Sequence, residues 1–357
     1  MDAKCAGDEI VTKTENDKNA TKHHKMNTDQ WIQQIIETGK TVAIPIMTHP
    51  GIELLGKKVK DAVTDGQTHY RAIAALNERF PQSAAVTMIM DLTVEAEAFG
   101  ASLYMPDDEV PSVTGRLISG AADVAALKVP DIDAARVPEY LKASSLAVEN
   151  LDKPVLPGCI GPYSLAARLF DMTELMMAMY LEPDTVKALL EKCTEFILRY
   201  CQAIKKTGAA GVVMAEPAAG LLSNEDCMTY SSVYVRQIIE KVQDEHFAVI
   251  LHNCGNSGQC TEAMVATGAK GYHFGNRIDM VEALKGCPSH TLVMGNIDPV
   301  GVLKMSSASQ VAAQVAELLQ RTAGYPNFVL STGCDVPPGV PMENITAFYA
   351  ALQGTQA

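Results

Sequence analysis

The sequence predicts an α/β fold, a single (β/α)8 TIM barrel, on three observations. Eight short apolar runs follow residue 30, amphipathic stretches lie between them, and polar side chains collect at the C-terminal ends of the runs. The runs are Thr41–Met47, Ala85–Leu92, Pro154–Gly161, Gly211–Glu216, Ala248–Cys254, Gly271–Gly275, Thr291–Asp298 and Phe328–Cys334. Several are apolar throughout, as strands buried on both faces should be. Strands alternating with helices imply a parallel sheet, and eight such units in one chain favour closure into a barrel.

The clearest helix should run from Asp184 to Lys206. Val186, Leu189, Leu190, Cys193, Ile197, Tyr200, Cys201 and Ile204 recur at helical spacing. Asp184 is the expected N-cap, and Gly208 follows a basic end at Lys205 and Lys206. Cys193 and Cys201 belong to this stripe and read as core. Further helices are expected over 232–243 and 309–321. The stretch 102–153 holds no clean strand-helix unit. It reads as an excursion over the barrel mouth, with a small hairpin at 112–119. Residues 1–28 are polar and read as a disordered extension, with 29–357 as the barrel. His23 and His24 in that extension can bind a metal only weakly.

The 357 residues are 47% hydrophobic and 20% charged, ordinary values for a globular protein. The net charge of −13 argues against nucleic-acid binding, which needs Lys and Arg in excess. No apolar run is long enough to span a membrane, and the first residues lack the apolar core of a signal peptide. The nine cysteines are odd in number and scattered, which favours a reducing, cytoplasmic setting over a disulfide framework. In that setting a spaced Cys/His set points to metal or catalysis.

Barrel active sites lie at the C-terminal ends of the strands. Here those ends carry His49, Asp91, Tyr163, Glu216, His252-Asn253-Cys254, His273, Asn296, Asp298 and Cys334-Asp335. In an extended chain, residues two apart point to the same side, so His252 and Cys254 converge. Barrel closure should bring Cys334 beside them. One imidazole and two thiols form the ligand set of a catalytic zinc site with an open fourth position. Soft thiolates select zinc over magnesium or calcium. Two thiolates and a neutral imidazole balance the charge of one Zn2+ per chain. A thiol entering the open position would lose its proton and become a nucleophile. The competing reading is a buried strand-end cysteine beside a hydrogen-bonded histidine, and Cys260 and Cys287 compete as ligands. His273 reads as a pocket residue rather than a ligand.

From about residue 30 onward the chain resembles the uroporphyrinogen decarboxylase superfamily, and within it the methylcobamide:coenzyme M methyltransferases. The resemblance rests on Met90-Asp91-Leu92-Thr93-Val94-Glu95-Ala96-Glu97-Ala98-Phe99-Gly100, Ile160-Gly161-Pro162-Tyr163-Ser164-Leu165-Ala166, Ala215-Glu216-Pro217, His252-Asn253-Cys254-Gly255, Gly295-Asn296-Ile297-Asp298 and Gly333-Cys334-Asp335-Val336-Pro337-Pro338. It implies a (β/α)8 barrel and zinc held by His252, Cys254 and Cys334. It also implies methyl transfer from a methylcobamide on a separate corrinoid protein to a small thiol such as coenzyme M. Asp91 looks like the pocket aspartate of the decarboxylases. Glu216 falls where the methyltransferases carry an acidic residue, a candidate displaceable fourth ligand. Tyr163, Asn296 and His273 are candidate substrate-binding residues. The chain departs from the decarboxylases after the first strand. Their Arg-Gln-Ala-Gly-Arg motif is replaced by Met47-Thr48-His49-Pro50-Gly51-Ile52, so the anchors for an acidic porphyrinogen are missing. The Asp-x-His-x-x-Gly signature of corrinoid-binding modules is absent, so the corrinoid must come from outside the chain. The 102–153 excursion is the expected docking surface. The alternatives are a cofactor-free decarboxylase-type lyase and a non-catalytic corrinoid-protein partner. Either a monomer or a homodimer suits the sequence.

Overall fold

A computed structural model describes residues 26–354. In chain order its strands are β1 (Val42–Ala43), β2 (Val86–Thr87), β3 (Leu103–Tyr104), β4 (Ser112–Val113), β5 (Val155–Leu156), β6 (Gly158–Ile160), β7 (Gly211–Ala215), β8 (Ala248–Asn253), β9 (Gly271–Phe274), β10 (Leu292–Ile297) and β11 (Phe328–Thr332). Seven run side by side and parallel in the order β1-β11-β10-β9-β8-β7-β6. β5 and β6 are one line of chain interrupted at Pro157, which has no N–H to give to a ladder. β5 pairs in parallel with β2, and Ser83 just before β2 bridges in parallel to Ala43 of β1. The ring is thereby closed, and the eight expected strands are its staves.

Alternation along each stave fills two layers. Ile44, Ile46, Leu156, Val213, Ala248, Ile250, Leu292, Met294 and Val329 form one buried cluster, the barrel interior. Their neighbours Val212, Met214, Val249, Leu251, Val293 and Leu330 belong to a second cluster shared with the surrounding helices. This two-sided burial is why the runs read as continuously apolar. The interior cluster also contains Ile32 and Ile35 of the helix Thr28–Thr38. The Thr28 hydroxyl donates to the Ala210 carbonyl at 3.0 Å, and the Asp29 N–H to the Glu245 carbonyl at 3.1 Å. Ala210 precedes β7 and Glu245 precedes β8, so this helix closes the N-terminal end of the barrel. The expected extension therefore gives way to packed structure by Thr28. Residues 1–25, with His23 and His24, lie outside the described residues.

The long helix spans Pro183–Lys206 and buries all eight stripe residues named above, Cys193 and Cys201 among them. Its N-cap is Glu182, not Asp184, because Pro183 takes the first helical position, where a missing N–H costs nothing. Asp184 instead adds its charge to the first turn. The other two helices run over Val233–Val242 and Ala308–Thr322; Ser307 and Gln310 form a capping box on the latter. The small hairpin exists but pairs β3 with β4, so it lies earlier than 112–119. The second half of 102–153 is a regular barrel helix, Val137–Asn150. It packs against the helix Gly66–Arg79, where the Gly66 N–H donates to the Glu139 carboxylate at 2.7 Å. Only the first half of that stretch is an excursion. No helix among the described residues is long and apolar enough to cross a membrane.

Candidate metal centre

Ala248 and Ile250 face the barrel interior, so His252 is the next inward residue of β8, and Cys254 the next in phase beyond the strand end. Cys334 follows β11, two staves from β9. One ligand atom from each of His252, Cys254 and Cys334 lies within 4.8 Å of the others. His252 is buried and both cysteines are half-buried. Barrel closure thus brings together the three side chains singled out in the sequence. Cys260 and Cys287 are buried elsewhere, with the Cys260 thiol donating to the carbonyls of Ala219 and Leu222.

A chain of hydrogen bonds sets the tautomer of His252. The Ser331 hydroxyl donates to the Ile44 carbonyl at 2.7 Å, so its oxygen must accept from His273 Nε2, 2.8 Å away. Burial, reinforced by the neighbouring His252, holds the His273 pKa well below the usual histidine value, so its ring is neutral. With the proton on Nε2, His273 Nδ1 is an acceptor. It receives the His252 Nδ1 proton at 2.7 Å. The remaining His252 nitrogen, Nε2, then presents a bare lone pair, and it is buried with no hydrogen-bond partner. Ligating histidines are fixed in this way, by a hydrogen bond on the opposite nitrogen.

The two cysteines perturb each other: Cys334 draws the Cys254 pKa below the usual thiol value, while Cys254 and burial push that of Cys334 above it. A divalent cation would take both sulfurs as thiolates and satisfy the orphaned lone pair together. The donor set therefore fits a soft metal.

Close backbone packing holds these loops. A Cβ on Gly275 would lie 2.6 Å from the Cys254 carbonyl oxygen and 2.7 Å from its Cα. A Cβ on Gly333 would lie 2.7 Å from the Asn276 nitrogen. Gly275→Ala should therefore push Cys254 out of position and weaken metal affinity by about 10-fold with all three ligands present. Competition against a chromogenic chelator measures this; unchanged affinity would show that the loop yields freely.

The other candidates lie elsewhere. Asp91 is buried and accepts from four donor groups on three residues. Oδ1 accepts from the Thr93 N–H at 3.0 Å and hydroxyl at 2.6 Å; Oδ2 accepts from Arg136 Nη1 at 2.5 Å and the Tyr140 hydroxyl at 2.9 Å. A carboxylate offers about four acceptor sites, so none remains for a substrate. Glu216 is likewise engaged, accepting from the Tyr163 N–H at 2.9 Å, the Ser164 N–H at 2.8 Å and the Ser164 hydroxyl at 2.6 Å. It caps the helix Pro162–Phe170 from the neighbouring stave and is not in the metal-capable group. Tyr163 is fully buried, its hydroxyl on Met179 Sδ at 3.2 Å, in the helix layer rather than a pocket. The Asn296 amide donates to the carbonyls of Gly275 and Ile278 and braces the loop after β9. His273 is fully buried, hydrogen-bonded between His252 and Ser331. At the end of β1, where the decarboxylases carry arginines, His49 Nε2 lies 3.6 Å from Asp335 Oδ2.

Ser331, Arg136, Tyr140 and Glu95 escaped the sequence reading. Ser331 had a signal, a hydroxyl within the run Phe328–Cys334 on the same face as Val329. Glu95 is fully buried; Oε1 accepts from the Ile160 N–H at 2.9 Å and Oε2 has no partner. Burial pushes its pKa up to about 7. The unfolded chain therefore ionises at lower pH than the folded one. The associated stability is complete below the ordinary carboxylate range and is lost as pH rises toward about 7. The loss should be about 3 kcal/mol, because each tenfold weakening of an acid on folding is worth ~1.4 kcal/mol. Glu95→Gln should remove this slope, measured as the difference between the two proteins' urea midpoints at about pH 5 and about pH 8. Parallel pH profiles would disprove it.

The profile described as uroporphyrinogen decarboxylase (URO-D) matches residues 43–354. The methylcobamide:CoM methyltransferase MtbA of Methanosarcina mazei is 29% identical over 266 residues, 73% of this chain and 77% of the relative. The methylcobamide:CoM methyltransferase MtaA of Methanosarcina barkeri is 27% identical over 325 residues, covering 88% and 94%. The uroporphyrinogen decarboxylase of Serratia proteamaculans is 27% identical over 286 residues, covering 77% and 79%. Among solved structures, a methyltransferase from Methanosarcina mazei superposes with a TM-score of 0.83 at 22% identity, over 93% of this chain and all of the other. That agreement confirms the barrel. The profile spans nearly every stave of the ring, and the chain belongs to the uroporphyrinogen decarboxylase family.

Proposed function

We propose that this protein is a zinc-dependent methyltransferase that moves a methyl group from a methylated corrinoid, carried by a partner protein, to a small thiol. The observation that carries the reading is the buried, unpartnered lone pair of His252 Nε2 beside two cysteine sulfurs. Its relatives named as methylcobamide:CoM methyltransferases supply the chemistry of donor and acceptor. Zinc, when bound, lowers the pKa of a thiol placed beside it. The protein's own groups prepare that effect. Ser331 and His273 hold the His252 lone pair inward. Cys254 and Cys334 as thiolates, with a neutral imidazole, bring the centre to zero net charge, so an arriving sulfur keeps its nucleophilicity. Ile250, Met294 and Val329 seal the interior below. In the transfer, the acceptor sulfur forms a bond to the methyl carbon as the cobalt–carbon bond breaks. The electron pair stays on cobalt, which passes from +3 to +1, and the thiol proton leaves to solvent.

A decarboxylase reading lacks its anchors. The end of β1 carries no arginine, and Asp91 has no free acceptor site. The decisive measurement is zinc content per chain, followed by cobalt(I) formation from methylcobalamin with a panel of thiols. The expected result is about one zinc per chain and thiol-dependent demethylation that stops on chelation. Full activity after complete removal of metal would overturn the reading.

A further inference from the structure

A second polar feature lies on the same rim of the barrel. A cleft of about 390 Å³ opens beyond the ends of β6 and β7, lined by Val113, Ser164, Arg168, Met172, Pro217 and Leu221 among others. β7 pairs directly with β8, which carries His252. The cleft is mostly apolar, and its one cation is Arg168, at the end of the helix Pro162–Phe170. Arg168 is half-buried, yet among the described residues it has no ion pair within 4 Å and no hydrogen bond. The arginines at 116, 136, 199 and 321 all hold carboxylates, and Arg236 holds a carbonyl.

The nearby acids are occupied. Asp171, in the same cleft, caps the next helix through the N–H groups of Thr173 and Glu174. Glu216 caps the helix of Arg168 itself. Asp91 and Glu95 pull on Arg168 from a distance, but Arg136 holds Asp91 and burial keeps Glu95 about half protonated near neutral pH. Burial draws the Arg168 pKa down, the sign of a guanidinium without adequate compensation. A partly desolvated charge with no partner is costly, and a guanidinium does not escape by losing its proton. In a chain of net charge −13, this is a local attraction for anions.

We propose that this cleft is a subsite for an anionic group of a reactant, a carboxylate, sulfonate or phosphodiester attached to an apolar body, with Arg168 as its cation. The identity of the reactants rests on the thiol and corrinoid reading above; the anion site itself does not. Two sources can supply the charge, an acidic thiol acceptor or the phosphodiester of a complete corrinoid.

Binding without turnover separates them. Calorimetry with 3-(methylthio)propionate and neutral 2-(methylthio)ethanol gives the acceptor arm. Equilibrium binding of cobalamin and of cobinamide, which lacks the phosphodiester, gives the donor arm. In one arm, wild type should favour the anionic member by about 10-fold or more. Arg168→Gln should abolish that preference while leaving the neutral member's affinity and the zinc content unchanged, and Arg168→Lys should restore part of it. The arm that responds identifies the source. If Arg168→Gln changes neither preference, or weakens neutral and anionic members alike, the subsite does not exist. Absence of thiol-dependent demethylation in wild type would instead defeat the methyltransferase reading and leave the binding result standing.

Discussion

Cys334→Ser and His252→Ala should each lower zinc affinity by more than about 100-fold, so that purified protein carries little metal and thiol-dependent demethylation falls to background. Each variant removes one of the three donors that meet here, and among the described residues no other His, Cys, Asp or Glu joins that group. Alanine at His273 or Ser331 should act more mildly. All three ligands remain, but His252 loses the hydrogen bond that sets its tautomer, so affinity should fall by about 10- to 100-fold. Zinc competition titrations on the four proteins give the ranking. A His252→Ala protein that retains a full complement of zinc would show that the lone pair is not a ligand.

Asp91→Ala should destabilise the fold by about 3–5 kcal/mol, since it leaves Arg136 buried with its closest counter-charge gone and the Tyr140 hydroxyl without an acceptor. Glu97, on the other side of the guanidinium at 2.6 Å, offsets part of that cost. Urea unfolding measures the loss, and zinc content should stay normal in the fraction that folds. A reacting aspartate would behave in the opposite way, with stability near wild type and turnover lost. That outcome would return Asp91 to the chemistry.

These two cases mark how far the sequence could be read. The staves were legible because residues buried on both faces leave uninterrupted apolar runs, as β7 does over its full length and β8 does from Ala248 to Leu251. His252 and Cys254 were legible as a pair because a two-residue step in extended chain repeats direction. Cys334 needed the barrel hypothesis as well. The remaining strand-end residues were not legible, because a carboxylate at a strand end serves a neighbouring helix as readily as a substrate. Glu216 turns toward the helix Pro162–Phe170 because Gly161 leaves it room; a Cβ there would lie 2.3 Å from Glu216 Cγ. Nothing in the local sequence reports that contact. Arg136 and Tyr140 lie more than forty residues beyond Asp91, and their convergence depends on the packing of the helix Val137–Asn150. Asp184 yielded its cap to Glu182, two residues earlier, because Pro183 takes the first helical position, a displacement of the size expected at helix ends.

The helix Thr28–Thr38 has a consequence for traffic through the molecule. With the floor stoppered by Ile32 and Ile35, the rim that carries His252, Cys254 and Cys334 is the open end among the described residues, and on the methyltransferase reading proposed above both reactants must enter there. On that reading a compact acceptor seated at the metal centre is trapped once a bulky donor settles over the opening, and the methylated product waits for that cover to lift.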